Sequence, residues 1–237
     1  MRIKKIGDAA LYLGDCRDML DALCNAQCTL TDPPFGIAYS SGHATDALWS
    51  ERSIRNDEDS SVRDLILAAL PKPCLAFGSP RVPCPPGTRA RLIWDKGPAL
   101  GMGALDIPWK PSYEEIYVIG SGFVGSRDEG AVIYCPPVQS MAKNGRVHPN
   151  EKPVQLLRRL LRKMPDGTVA DPFMGSGSTG VACVLAGRPF IGCEIDPKYF
   201  EIACKRIEEA TRQSDMFIPT SSPPMPSSRD MFEGMMR

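Results

Sequence analysis

The 237-residue chain has no apolar run near the roughly 18 residues that a bilayer-spanning helix needs. Its opening residues, MRIKKIGDAALYLGD, also lack the apolar stretch of a signal peptide. A cytoplasmic protein with no membrane partner is therefore expected. Only two histidines are present, and neither stands near Cys24 and Cys28, the closest pair among nine cysteines. No C-x-x-C pair repeats, and Cys74, Cys135, Cys183 and Cys193 lie in apolar surroundings. Reduced thiols acting as small hydrophobes are expected, with no metal site. No internal repeat is visible. Net charge is missing too, since 28 basic side chains balance 28 acidic ones. A hydrophobic content of 43% and a charged content of 24% are ordinary for a globular protein. The length suits one large domain with an insertion.

What is present is unevenly placed. By side-chain count, residues 1–70 carry a charge of −4, residues 71–163 carry +7, and residues 164–237 carry −3. A neutral protein with one basic segment can still meet a polyanion through that segment. Apolar runs predict about eight strands, at 9–14, 28–31, 74–78, 90–95, 115–120, 131–135, 169–170 and 190–193. Helical spacing marks 16–23, 62–70, 153–164 and 197–212, and in 153–164 Leu156, Leu157, Leu160 and Leu161 share one face. Residues 36–60 read as a long polar loop and 138–149 as a basic one. From 214 onward the chain is rich in Pro, Ser and Met without period, which predicts a disordered tail at 214–237. Strands and helices interleave in the first and last thirds, so an α/β fold with a mostly parallel sheet is expected.

Two stretches carry the chemistry. In the first, Val169 and Ala170 lead into Asp171-Pro172-Phe173. Gly175, Gly177 and Gly180 then complete G-x-G-x-x-G before a helical segment, and the next apolar run ends on Glu194. Strand, glycine turn, helix, strand and acid together form a unit that binds a nucleoside-bearing cofactor, with the acid on the ribose. No Gly-Lys-Ser/Thr follows, which excludes a P-loop. A dinucleotide-binding dehydrogenase would need several more strands beyond Glu194, and fewer than 45 residues remain. The rest of the sheet must come from upstream, so the order is circularly permuted relative to an ordinary cofactor domain.

The second stretch, Asp32-Pro33-Pro34-Phe35, sets a carboxylate, a rigid turn and an aromatic ring at a strand's end. Open α/β sheets bind ligands outside such ends. An aromatic amine attacks poorly while its lone pair is delocalised into its ring. Acceptors on the amino hydrogens favour the attacking geometry; Asp32 and the Pro33 carbonyl can supply them, and Phe35 can stack on the base.

Asp32-Pro33-Pro34-Phe35 followed by Asp171-Pro172-Phe173-Met174-Gly175-Ser176-Gly177 resembles the two signature motifs of S-adenosylmethionine-dependent amino-methyltransferases of DNA. Their order, catalytic motif before cofactor motif, is similar to the beta class. His148-Pro149-Asn150-Glu151-Lys152-Pro153 resembles that family's H-P-x-x-K-P segment, and Leu13-Gly14-Asp15 its N-terminal L-G-D element. Leu92-Ile93-Trp94-Asp95-Lys96-Gly97 and Tyr113-Glu114-Glu115-Ile116 match the middle of the family loosely. Phe35 stands where tyrosine is commoner.

The resemblance implies a Rossmann-like methyltransferase fold, with residues 1–213 forming one domain and a short target-recognition insertion around 80–147. It implies methyl transfer from S-adenosylmethionine to N6 of a flipped adenine in double-stranded DNA, often within restriction–modification, by a monomer or a homodimer. Asp32, Pro33, Pro34 and Phe35 would be catalytic. Asp15, His148, Lys152, Asp171, Phe173, Gly175, Ser176, Gly177 and Glu194 would bind the cofactor. Arg81, Arg89, Lys143 and Arg146 of the basic segment would meet nucleic acid. The same motifs leave N4 of cytosine, RNA, a dehydrogenase and a silent DNA-binding module as alternatives.

Overall fold

The computed structural model describes residues 2–35, 60–98, 108–110, 112–138 and 151–217. It contains nine strands: β1 Arg2–Ile6, β2 Ala9–Leu13, β3 Cys28–Thr31, β4 Cys74–Gly78, β5 Thr88–Asp95, β6 Tyr113–Ile119, β7 Val132–Tyr134, β8 Val169–Asp171 and β9 Phe190–Glu194. The helices are α1 Leu20–Leu23, α2 Ser61–Ala69, α3 Val154–Leu161, α4 Ser178–Val184 and α5 Pro197–Phe217, with a 3-10 turn at Cys16–Met19 before α1.

All nine strands share one sheet in the order β1-β2-β9-β8-β3-β4-β6-β5-β7. Five neighbouring pairs are parallel and three antiparallel, the mostly parallel α/β sheet expected from the pattern. The central strands β3, β4 and β8 are buried along their whole length. Such strands read as short apolar runs because helices cover both faces of the sheet. Val169 packs with α3, α4 and α5 residues, while its neighbour Ala170 packs on the other face with Leu23, Ile66 and Leu70. The leucine face of α3 is buried as its spacing predicts.

The permuted order has a direct topological form. The late unit β8-α4-β9 inserts between two early strands, with β9 against β2 and β8 against β3. From β8 the chain winds to one side, toward β9, while from β3 it winds to the other, toward β4. A crevice opens at the carboxyl ends of strands where winding reverses. Asp171 ends β8 and Asp32 follows β3, so both motifs lie at this reversal.

Several details depart from the sequence reading. β1 was not expected, because its RIKKI sequence is mostly exposed and its cations obscure any alternation. It forms a hairpin with β2, while Arg2 pairs with Glu201 and Lys4 with Glu208 (2.7 Å) on α5. The expected insertion around 80–147 supplies three strands, β5 to β7, to the central sheet itself. α5 continues to Phe217, so 214–217 are helical and not part of a disordered tail; no proline interrupts the helix before Pro219. Residues 218–237 of the expected tail, and 36–59 and 139–150, where loops were expected, lie outside the described residues. Among the described residues no helix is long and apolar enough to cross a membrane.

Candidate active site

The glycine turn is built mainly by backbone and near neighbours. Asp171 is 2% exposed, and its Oδ1 accepts from Thr31 Oγ1 at 2.7 Å and from the Phe173 amide at 3.1 Å. The Thr31 bond ties the end of β8 to the end of β3. Burial pushes the Asp171 carboxyl up to about 6, against the opposing bonds from Thr31, Thr179 and Phe173. Glu194 Oε2 accepts from the Gly175 amide at 2.9 Å and Oε1 from the Asp196 amide at 2.8 Å. Burial pushes Glu194 up to about 7, with those two amides opposing it.

The two left-handed glycines have different reasons to be glycine. At Gly175 (φ +51) a Cβ would meet nothing within 4 Å, so the backbone borders open space. At Gly177 (φ +82) a Cβ would stand 2.9 Å from the Cβ of Ala203. Gly175 thus leaves room for a ligand, whereas Gly177 lets the start of α4 close onto α5. Ser176 is buried, and its hydroxyl and carbonyl accept from Arg206 Nη1 at 2.9 and 2.8 Å. Its side chain is therefore engaged by α5. Phe173 is half-buried and packs beside Tyr12 and Ile191. Asp15 lies two residues past the end of β2, next to Gly14, whose N donates to the Glu194 carbonyl at 2.9 Å. Its carboxylate caps the 3-10 turn and pairs with Arg17 at 2.5 Å, which holds it below the usual carboxylate range.

The corner around Asp32 is assembled from side chains far apart in sequence. Lys152 Nζ lies 2.6 Å from Asp32 Oδ2 and 3.2 Å from Glu114 Oε2. Lys96 Nζ lies 2.5 Å from Glu114 Oε1. Two carboxylates and two ammonium groups alternate, so the buried charges balance. Phe77 and Phe35 flank Lys152, with ring centroids 5.0 and 5.7 Å from Nζ, and Trp94 lies 4.8 Å from Lys96 Nζ. The Asp32 side chain is 26% exposed, yet its Oδ1 is buried and has no hydrogen-bond partner among the described residues.

Burial raises Asp32 above the ordinary carboxylate value, aided by Glu114 and opposed mainly by Lys152. For Glu114, burial is outweighed by Lys152 and Lys96, and the carboxyl stands below its ordinary value. For Lys152, burial is outweighed by the two carboxylates, which hold the ammonium protonated.

The segment 151–153 joins the two regions. Lys152 reaches Asp32, while the adjacent Glu151 pairs with Arg206, which holds the Ser176 loop. Pro33, Pro34 and Phe35 continue from Asp32 as expected, with Pro33 buried and Phe35 half-buried against the main core.

The residues expected to meet nucleic acid divide. Arg81 is exposed beyond the end of β4, on the same sheet edge as Asp32. Arg89 is a correction. β5 is parallel to β4, and its start lies opposite Ile119, the partner of Cys74 at the start of β4. There Arg89 donates to the Gly120 carbonyl at 3.1 Å, on the edge away from Asp32. A basic segment in sequence straddles both edges of a sheet, and composition cannot separate them. Lys143, Arg146 and His148 lie outside the described residues. Sequence reasoning missed Glu114, Lys96, Arg206 and Thr31 as parts of the site. Cys24 and Cys28, also considered for metal, point apart: Cys24 Sγ contacts the Ala69 carbonyl, and Cys28 Sγ accepts from Arg188.

A family model described as DNA methylase matches residues 84–205, just over half of the chain. Type II methyltransferase M2.MboI of Moraxella bovis is 36% identical over 89 residues, 37% of this chain and 33% of that protein. DNA adenine methyltransferase YhdJ of Escherichia coli (strain K12) is 36% identical over 87 residues, 36% of this chain and 30% of that protein. The matches thus span about a third of the length of these curated relatives. The crystal structure of the M1.HpyAVI–SAM complex aligns over 84% of this chain and 99% of that chain, with a TM-score of 0.56 and 21% identity. At that identity the likeness is one of fold.

Proposed function

The chain belongs to the DNA methylase family, and on that premise we propose that it transfers a methyl group from S-adenosylmethionine to N6 of a flipped adenine in double-stranded DNA. The observation that carries this reading is Asp32 Oδ1, a buried acceptor without a partner among the described residues, beside a glycine turn that borders open space. The aspartate-led motif and the likeness to a relative named as an adenine methyltransferase support adenine over cytosine. Likeness to a type II methyltransferase supports a place in restriction–modification. Nine free cysteines suit a reducing cytoplasm.

The chain's residues fit the methyl donor. Open space at Gly175 admits a ligand against the backbone, and the largely buried Glu194 carboxylate, which keeps some exposure, can accept from ribose hydroxyls. Phe173 and Asp15 flank that pocket. The donor supplies a methyl carbon bonded to a positively charged sulfur. Flipping the base costs on the order of a few kcal/mol. Stacking on Phe35 returns roughly 1–3 kcal/mol. Asp32 Oδ1 and the Pro33 carbonyl accept the two amino hydrogens and draw the nitrogen lone pair out of conjugation. That lone pair, so oriented, would take up the methyl carbon, with the bonding electrons retained by the donor's sulfur. The nitrogen then sheds one proton onto Asp32 Oδ1. The chain's contribution is alignment and electrostatics.

Residues 1–213 would form the catalytic domain. Because β5 to β7 belong to its sheet, target recognition would fall to their connections within 80–147. Phosphate contacts from Arg81, and from Lys143 and Arg146, would make binding salt-sensitive.

The test incubates the chain with labelled S-adenosylmethionine and unmethylated duplex DNA, followed by nucleoside analysis. N6-methyladenine is expected, with a drop on the order of 100-fold or more in Asp32→Ala. Equal yield from that variant overturns the role of Asp32, and N4-methylcytosine as sole product moves the target base. Sedimentation of the same preparation decides between monomer and homodimer.

A further inference from the structure

We propose that Glu114 and Lys96 are positioning residues for the transfer, pinning the Lys152 ammonium on Oδ2 of Asp32 so that Oδ1 is the Asp32 oxygen presented to the amino group, beside the Pro33 carbonyl. The inference rests on the methyl-transfer reading and gives a role to two side chains from the loosely matched middle of the chain, to which the sequence reading assigned none.

Lys152 stands in the segment before α3, outside any helix or strand, and its flexible stem alone does not fix where three ammonium hydrogens point. Glu114 limits that freedom by charge, since its buried Oε2 faces the ammonium as an ion pair. Its Oε2 sits 3.2 Å from Nζ while Asp32 Oδ2 sits 2.6 Å away, so the ammonium is drawn from two sides. Glu114 is in turn held by Lys96 at 2.5 Å through its other oxygen. The register of the sheet sets this pair: Glu114 lies opposite Trp94 on β5, and Lys96 follows two residues later. The Lys96 amide donates to the Ser112 carbonyl at 2.8 Å, which anchors the backbone beside Glu114. The chain Lys96–Glu114–Lys152–Asp32 therefore alternates in charge from the β5 side to the reacting corner.

Without Glu114, the ammonium could swing between the two oxygens of Asp32 and compete with the substrate for Oδ1. Without Lys96, Glu114 would press an uncompensated negative charge toward Asp32. Among the described residues, the charged groups facing Asp32 are Lys152 from the segment before α3, Glu114 from β6, Lys96 beyond β5 and, more distantly, Asp171 at the end of β8.

The experiment uses the full chain, duplex DNA and S-adenosylmethionine, and records kcat and KM against pH for Glu114→Gln, Lys96→Met and the double variant. Each single variant is expected to lower kcat about tenfold or more, with KM for DNA changed about twofold at most. The acid limb of kcat moves in opposite directions: down in Glu114→Gln, where a like charge leaves Asp32, and up in Lys96→Met, where an opposite charge leaves it. In the double variant the limb returns toward wild type while kcat stays low. A merely structural cluster would lower kcat without signed shifts. Wild-type kcat with an unmoved limb in Glu114→Gln or Lys96→Met overturns the proposal while methylation by wild type leaves the transfer reading intact. If a single variant fails to fold, the double variant removes one charge of each sign, and wild-type kcat in it overturns the proposal equally. Absence of methyl transfer by the wild-type chain overturns the underlying reading instead.

Discussion

The glycine turn and the Asp32 corner are neighbours at one sheet edge, yet they solve the burial of carboxylates differently. Glu194 is satisfied by the amides of Gly175 and Asp196, and Asp171 partly by the amide two residues on. Asp32 is balanced by Lys152, 120 residues away, and through it by Glu114 and Lys96. Backbone amides carry no net charge, so the carboxylates they hold rise to about 6 and about 7. Ammonium groups do carry charge, and in the corner two of them keep Glu114 ionised despite burial, whereas Asp32, paired with Lys152, still stands above its ordinary value. A site bound by amides tolerates loss of charge, whereas one bound by ion pairs does not. Removing one member of a buried pair strands the other.

That difference is open to three measurements. The largest effect is expected from Lys152→Met, which strands Asp32 and leaves Glu114 with Lys96 alone; urea unfolding should show a loss of about 3–5 kcal/mol. A loss no greater than that of Glu194→Gln would erase the contrast between the regions. Next come the two glycines. Gly177→Ala forces a Cβ against Ala203 at a left-handed backbone and should cost roughly 2–4 kcal/mol. Gly175→Ala should cost only about 1–2 kcal/mol while weakening S-adenosylmethionine binding in titration. Equal stability losses with unchanged binding would show that both glycines serve packing. The smallest effect is a pH dependence. Only ionised Glu194 accepts from ribose hydroxyls without competition from its own proton, and its value is about 7. Affinity for the methyl donor should therefore rise about three- to tenfold from pH 6 to pH 8. Glu194→Gln should flatten that rise, and a persisting slope would assign it to another group.

The legible part of the site was the part whose partners are local. The glycines, Asp171 and Glu194 occur within 24 residues, and the prolines after Asp32 mark a strand's end wherever they occur. Glu114 left a weaker signal, as two adjacent acids opening an otherwise apolar strand. Strand alternation puts them on opposite faces; both are largely covered, Glu115 more than Glu114, so alternation alone does not single out Glu114, whose place opposite Trp94 is set by register. Lys96, directly after an apolar strand, is paired with it by the same register. Arg206 left none, because on α5 it is one of several cations at helical spacing. β1 stayed hidden for the same reason, since exposed lysines on an edge strand follow no apolar period.

The amino-acid sequence by itself determined the α/β class, the late cofactor unit and the two motifs, because strand period, glycine turns and proline stops are short-range properties of a chain. Only the tertiary structure decided that β8 lies against β3, bringing Asp171 to Thr31 and the two motifs to one crevice. It also decided which of two left-handed glycines faces space, and which of two basic residues, Arg81 or Arg89, shares an edge with Asp32. Those outcomes depend on strand order and register, and the energy that sets them is summed over contacts between residues far apart in the chain.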